Sequence, residues 1–135
     1  MSDGDKRSKR LERLLRVQRQ KRELEEWRLA HLKRERTDLD GKERQIVESL
    51  GVETQLHGLF LDSKVRSLRR NDRAKARNTA QQTAATQRLE VERRKEKQTE
   101  RAREQAMRQE ASQTERSQLE NVLESVLMRA DASFE

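Results

Sequence analysis

Cysteine, proline and tyrosine are absent from this 135-residue sequence, and glycine occurs only four times. Without cysteine there is no disulfide framework, no thiol chemistry and no cysteine-ligated zinc. Without proline nothing in the chain removes a backbone donor or forces a helix to break. Aromatic residues make up 2% and hydrophobic residues 30%. So little apolar surface cannot enclose a globular interior, but it can line a narrow seam between helices. No apolar run approaches the roughly 20 residues that span a bilayer. MSDGDKRSKR leads straight into charged sequence, so no secretory signal peptide is expected.

What is present is charge. Asp, Glu, Lys and Arg account for 42% of residues, and the formal net charge is +7. Arg, Lys, Glu, Gln, Ala and Leu all have good helix propensity, so long helices are the expected ordered structure. At this length one domain covering residues 1–135 is expected. The charge is uneven. Residues 64–108 carry 15 basic against 6 acidic side chains, and residues 109–135 carry 2 against 6. A basic middle and an acidic end give the chain a polarity that its net charge hides.

Periodicity predicts a first helix over about residues 8–50. At about 100° per residue, Leu11, Leu14, Leu15, Leu29, Leu32, Leu39, Ile46, Val47 and Leu50 share a face. Leu32, Leu39 and Ile46 recur at seven, as in a coiled coil. Gly51 and Gly58 bracket a turn over about residues 51–58, with Gly51 in the place of a C-cap glycine. A second, longer helix is predicted from about residue 59 to 130. Leu61, Val65 and Leu68 share a face at its start, and residues 69–118 are poor in large apolar side chains. The fold class expected is all-α, a two-helix antiparallel coiled-coil hairpin with a longer second helix.

An apex near residue 54 makes facing positions add to roughly 109 in an antiparallel pair. Leu39 then lies near Leu68 to Arg70, Ile46 near Ser63, and Val17 opposite Val91. Trp27 and Leu24 face Gln82 to Ala85, where small side chains would accept large ones. Residues beyond about 105 project past the N-terminus of the first helix.

Two surfaces stand out. Lys64, Arg66, Arg69, Arg70, Arg73, Lys75 and Arg77 form the densest basic run. Of these Arg66, Arg69, Arg70, Arg73 and Arg77 share one stripe, read either as a strip for an acidic partner or as a solvated face. Leu119, Val122, Leu123, Val126 and Leu127 form a sharp apolar stripe on the projecting end. That stripe is read as a partner-binding contact, a self-association contact or a self-packing helix end. Trp27, the only tryptophan, is either a seam residue or an exposed anchor. His31 and Glu35 stand at i and i+4, but no third ligand accompanies them, so no metal site is assigned. No phosphate-cradling loop and no nucleophile-base motif occurs, so neither an enzyme nor a cofactor is expected. The lack of interleaved aromatic residues argues against specific nucleic-acid binding.

The start KRLERLLRVQRQKRELEEWRLAHL and the return segment RLEVERRKEKQTERAREQAMRQEASQTERSQLENVL resemble the FliJ/YscO group of flagellar and type III secretion proteins. The resemblance covers most of the chain at the level of pattern. It implies a small, basic, cytoplasmic antiparallel coiled coil at the inner face of the membrane export apparatus. It also implies a stalk-like role in the ring of the export ATPase, with contacts to the export gate and to substrate chaperones. Two other readings stay open: a coiled-coil scaffold or adaptor unrelated to secretion, and a basic rod that grips nucleic acid electrostatically.

Overall fold

A computed structural model describes residues 6–51 and 57–134. Two helices make up the fold, α1 over Arg7–Leu50 with 44 residues and α2 over His57–Phe134 with 78. They pack antiparallel as an all-α hairpin whose second helix is the longer. The apex expected at 51–58 lies mostly outside the described residues. Two details at its margins depart from expectation. Gly58 stands inside α2, which starts at His57. Gly51 does not adopt a left-handed conformation; its N–H donates to the Glu48 carbonyl at 3.1 Å. That i to i−3 bond closes α1 with a tightened last turn instead of a glycine cap. The periodicity does run through Gly41, where an added Cβ would meet nothing within 4 Å. Its cost of about 1 kcal/mol relative to alanine is therefore purely conformational.

The residues pack into two units. One comprises Arg19–Arg94; the other joins the first 18 residues to the segment from Lys95 onward.

In the first unit the seam follows strict heptads. From α1 it takes Glu25, Leu29, Leu32, Arg36, Leu39, Glu43 and Ile46, all buried or half-buried. From α2 it takes Lys64, Leu68, Asn71, Lys75, Asn78, Gln82, Ala85 and Leu89. Alternating steps of three and four keep these positions facing the partner. The register lies close to the expected one. Asn71 reaches Leu39 and Asn78 reaches Leu32, while Lys75 bridges Glu43 and Asp40. Facing positions therefore add to roughly 110 to 118, at or somewhat above the expected 109. Leu39 lies beside Arg70, as expected, and its carbonyl accepts from buried Asn71.

The seam also excludes residues that the straight-helix reading put in it. Val47 is exposed on α1, as are Leu61 and Val91 on α2. A period of 3.5 drifts away from 3.6 over several turns, and Val47 and Val91 fall outside it; Leu61 stands on the heptad line of Leu68 and Lys75 but is exposed all the same. Trp27 and Leu24, which lie off the 100° stripe and were expected opposite Gln82 to Ala85 by register alone, are exposed too: at their level the seam takes Glu25 and Leu29.

In the second unit Ser8, Leu11, Leu15 and Gln18 of α1 form one side of the seam. Glu96, Thr99, Arg103, Ala106 and Glu110 of α2 form the other. Leu15 is 2% exposed and Ala106 also 2%. Leu14 and Val17 lie off the seam and are exposed. The Ser8 N–H and hydroxyl both donate to the Glu110 carboxylate, at 3.1 and 2.6 Å. An acid supplied by α2 thus satisfies an orphan donor in the first turn of α1 and faces the positive end of its dipole. Beyond Glu110 every residue through Ser133 is exposed. The projecting end begins there, about five residues later than the expected register placed it.

Candidate docking surfaces and the polar seam

A seam so short of leucine is held by polar chemistry. Asn78 is fully buried. Its amide donates to the Leu32 carbonyl at 2.8 Å and its oxygen accepts from Gln82 Nε2 at 2.7 Å. Asn71 repeats the arrangement one heptad earlier, donating to the Leu39 carbonyl at 2.9 Å. Between them Lys75 spans Glu43 and, at 3.1 Å, Asp40. Arg36 lies 3.4 Å from Asp40 and donates to the Thr79 hydroxyl at 2.8 Å. Glu25 accepts from Arg28 at 2.7 Å and from Arg88 at 3.1 Å, so its carboxylate is paired within and across the helices. None of these roles was read from the sequence. The signal was present in the spacing: Lys64, Asn71, Asn78 and Ala85 recur at seven, and so do Leu68, Lys75, Gln82 and Leu89.

These contacts move three ionisation equilibria. The hydrogen bond from Lys75 holds the Asp40 carboxyl below its ordinary range, with the charges of Lys75 and Arg36 acting the same way. Hydrogen bonds to Glu43 and then Asp40 raise Lys75. The Ser8 hydroxyl, then its N–H, lowers Glu110. The two depressed carboxyls contribute stability that is complete above about pH 5 and lost as pH falls through their lowered values. The raised Lys75 contributes stability that is complete below its ordinary value of about 10.4 and lost as pH rises through its raised one. Thermal melts followed by circular dichroism should therefore show a plateau at neutral pH with a decline on each side. Lys75→Met should weaken the alkaline decline. An unchanged alkaline limb in that variant would remove Lys75 from the account.

The basic run divides in two. Lys64 and Lys75 turn into the seam, where Lys64 donates to the Ser49 carbonyl at 2.9 Å. Arg66, Arg69, Arg70, Arg73 and Arg77 are all exposed. On the helix they lie opposite Asn71, Lys75 and Asn78, so they face away from α1. Arg66 touches only the Asp62 carbonyl of its own helix, at 3.3 Å. Among the described residues Arg69, Arg70, Arg73 and Arg77 have no hydrogen-bond or ion-pair partner. Leu59, 76% exposed, stands seven residues before Arg66 and opens the same stripe.

The second surface is on the projecting end of α2. Leu119, Val122, Leu123, Val126 and Leu127 are 54 to 64% exposed. Trp27 is 59% exposed and stacks on His31, with ring centroids 5.5 Å apart and planes 6° from parallel. It is not a seam residue and does not pack on the alanines of α2. His31 is thus engaged with an indole and not with Glu35. Among the described residues no three of His, Cys, Asp and Glu are grouped as metal ligands, and no helix is long and apolar enough to cross a membrane.

No family model, curated protein or solved structure matches this chain.

Proposed function

We propose that this chain is a non-enzymatic component of flagellar or type III protein export. In this reading it is a cytoplasmic, stalk-like coiled coil at the inner face of the export apparatus, contacting the export ATPase ring, the export gate or chaperones. The observation that carries it is the unequal pair of helices. α1 is used up in the seam, while α2 continues past Glu110 as an unaccompanied helix with an apolar stripe. A paired shaft gives stiffness, and an unpaired amphipathic end gives a place to dock. The resemblance to the FliJ/YscO group supplies the biological setting.

The test is genetic and then biochemical. Deleting the gene in its own cell should abolish secretion of export substrates, and the purified chain should bind the purified export ATPase of that cell. Normal secretion after deletion, with no ATPase binding, would leave a scaffold or adaptor of another system. Salt-sensitive binding to DNA or RNA in place of any protein partner would make it a nucleic-acid-binding coiled coil.

A further inference from the structure

The apolar stripe near the end of α2 is not a continuation of the seam. Thr99, Ala106, Arg103 and Glu110 mark the seam side of this helix. Carried forward by heptads, that side passes through Gln113, Ser117, Glu120 and Glu124, all polar, before it meets Leu127 and then Asp131. Leu119, Leu123 and Val126 stand one residue before the corresponding positions, roughly 100° around the helix. A segment that extended the track of α1 would cover glutamates and, of the stripe, Leu127 alone. The stripe therefore needs a different occupant.

Its chemistry selects one. Glu120, Glu124 and Asp131 form one edge of the stripe, all exposed, and among the described residues none has an ion-pair partner. Two such ends packed against each other would bring acidic edges together. A basic surface with some apolar footing suits them better, and the chain carries one. On the arginine strip, Arg66, Arg70 and Arg77 are spaced four and then seven apart, as are Glu120, Glu124 and Asp131. Read in the opposite direction, Arg77, Arg73 and Arg66 have the same spacing. Exposed Leu59, Ala76 and Ala80 lie in or beside that strip, and arginine stems cover apolar surface while their heads stay wet. Both surfaces lie on α2.

We propose that the acidic, apolar end of α2 docks on the arginine strip of a second copy of this chain. The contact is heterologous: each copy offers an end and a strip, and both are used by different neighbours. Such an interface does not close on itself as a twofold dimer does, so copies add in series. Its charged edge makes it weaken as salt rises through physiological strength.

Sedimentation velocity on the full chain tests this. Average mass should climb with concentration across the micromolar range without stopping at the dimer, and should fall back in high salt. Two charge-reversed variants sharpen the test. One carries Glu120→Arg, Glu124→Arg and Asp131→Arg; the other carries Arg66→Glu, Arg70→Glu and Arg77→Glu. Each alone should self-associate at least about tenfold more weakly. An equimolar mixture should recover assembly, because each reversed end then meets an oppositely charged strip. The chain has no cysteine of its own, so a second readout does not depend on the reversals. Copies carrying Leu123→Cys should form disulfides with copies carrying Ala76→Cys. A wild-type chain that stays monomeric overturns the proposal. So does a dimer of fixed mass indifferent to the strip variant, which would mean end-to-end pairing. A mixture that recovers nothing, with no disulfide formed between the cysteine variants, overturns it as well. Because the isolated chain is measured, none of these outcomes bears on whether it serves protein export.

Discussion

Replacing Leu89 by alanine should lower the stability of the hairpin by about 2 to 3 kcal/mol, measured by urea unfolding followed at the helical circular-dichroism band. Leu89 is 5% exposed, and it shares the apolar part of the seam with Leu15, Leu39, Ala85 and Ala106. With so few buried apolar side chains, each represents a large share of a net stability that is typically 5 to 15 kcal/mol. Truncation removes three carbons from a site closed off from water, and a seam of polar neighbours has little freedom to close the gap. Leu24→Ala is the control, since that leucine is about half exposed and off the seam; its effect should be well under half that of Leu89→Ala. Equal effects from the two would mean that apolar burial does not distinguish seam from surface in this protein.

The second large effect has the opposite sign. Converting Asn71 and Asn78 together to leucine should stabilise the folded chain by about 1.5 to 3 kcal/mol per site. Each asparagine donates to a carbonyl of α1, Leu39 and Leu32 respectively. Those carbonyls keep their own helical bonds when the side chain goes, so no buried acceptor is orphaned. Gln82 loses the Asn78 oxygen but is only half-buried and can turn to water. The cost should appear as lost specificity. A seam of leucines accepts many shifted partners, whereas buried asparagines and the pairs of Lys75 with Glu43 and Asp40 admit only arrangements that satisfy them. The double variant should melt higher yet populate additional registers or oligomers, visible as heterogeneous mass in light scattering. A variant that is both more stable and uniformly monomeric would show that the register is set elsewhere. The charge cluster of Lys75 with Glu43 and Asp40 would then be the first place to look.

These two substitutions separate what could be read from residues alone from what could not. Propensity and the absence of proline were enough to place the helices. α1 was expected from about residue 8 to 50 and runs from Arg7 to Leu50; α2 was expected from about 59 to 130 and runs from His57 to Phe134. The exposure of Arg66, Arg69, Arg70, Arg73 and Arg77 and of the Leu119–Leu127 stripe was also legible, because both have a helical period and strong local chemistry. The seam was not. Counting apolar residues at 100° per residue admitted Leu14 and Val47, which are exposed, and passed over Asn71, Asn78 and Glu25, which are buried. It also offered Trp27 a bed of alanines, where the structure stacks it on His31 in the open.

The difference is one of range. Whether a stretch is helical and which of its faces is charged are properties of that stretch, and the sequence alone determined them for this protein. Which residues are buried depends on what stands opposite, and only the tertiary structure decided it. Where leucines are plentiful, the apolar pattern dictates the register. Here they are few, and polar contacts cross the seam in their place: Asn71 and Asn78 to carbonyls of α1, and Lys75 to Glu43 and Asp40. Those interactions exist only once both helices are in place.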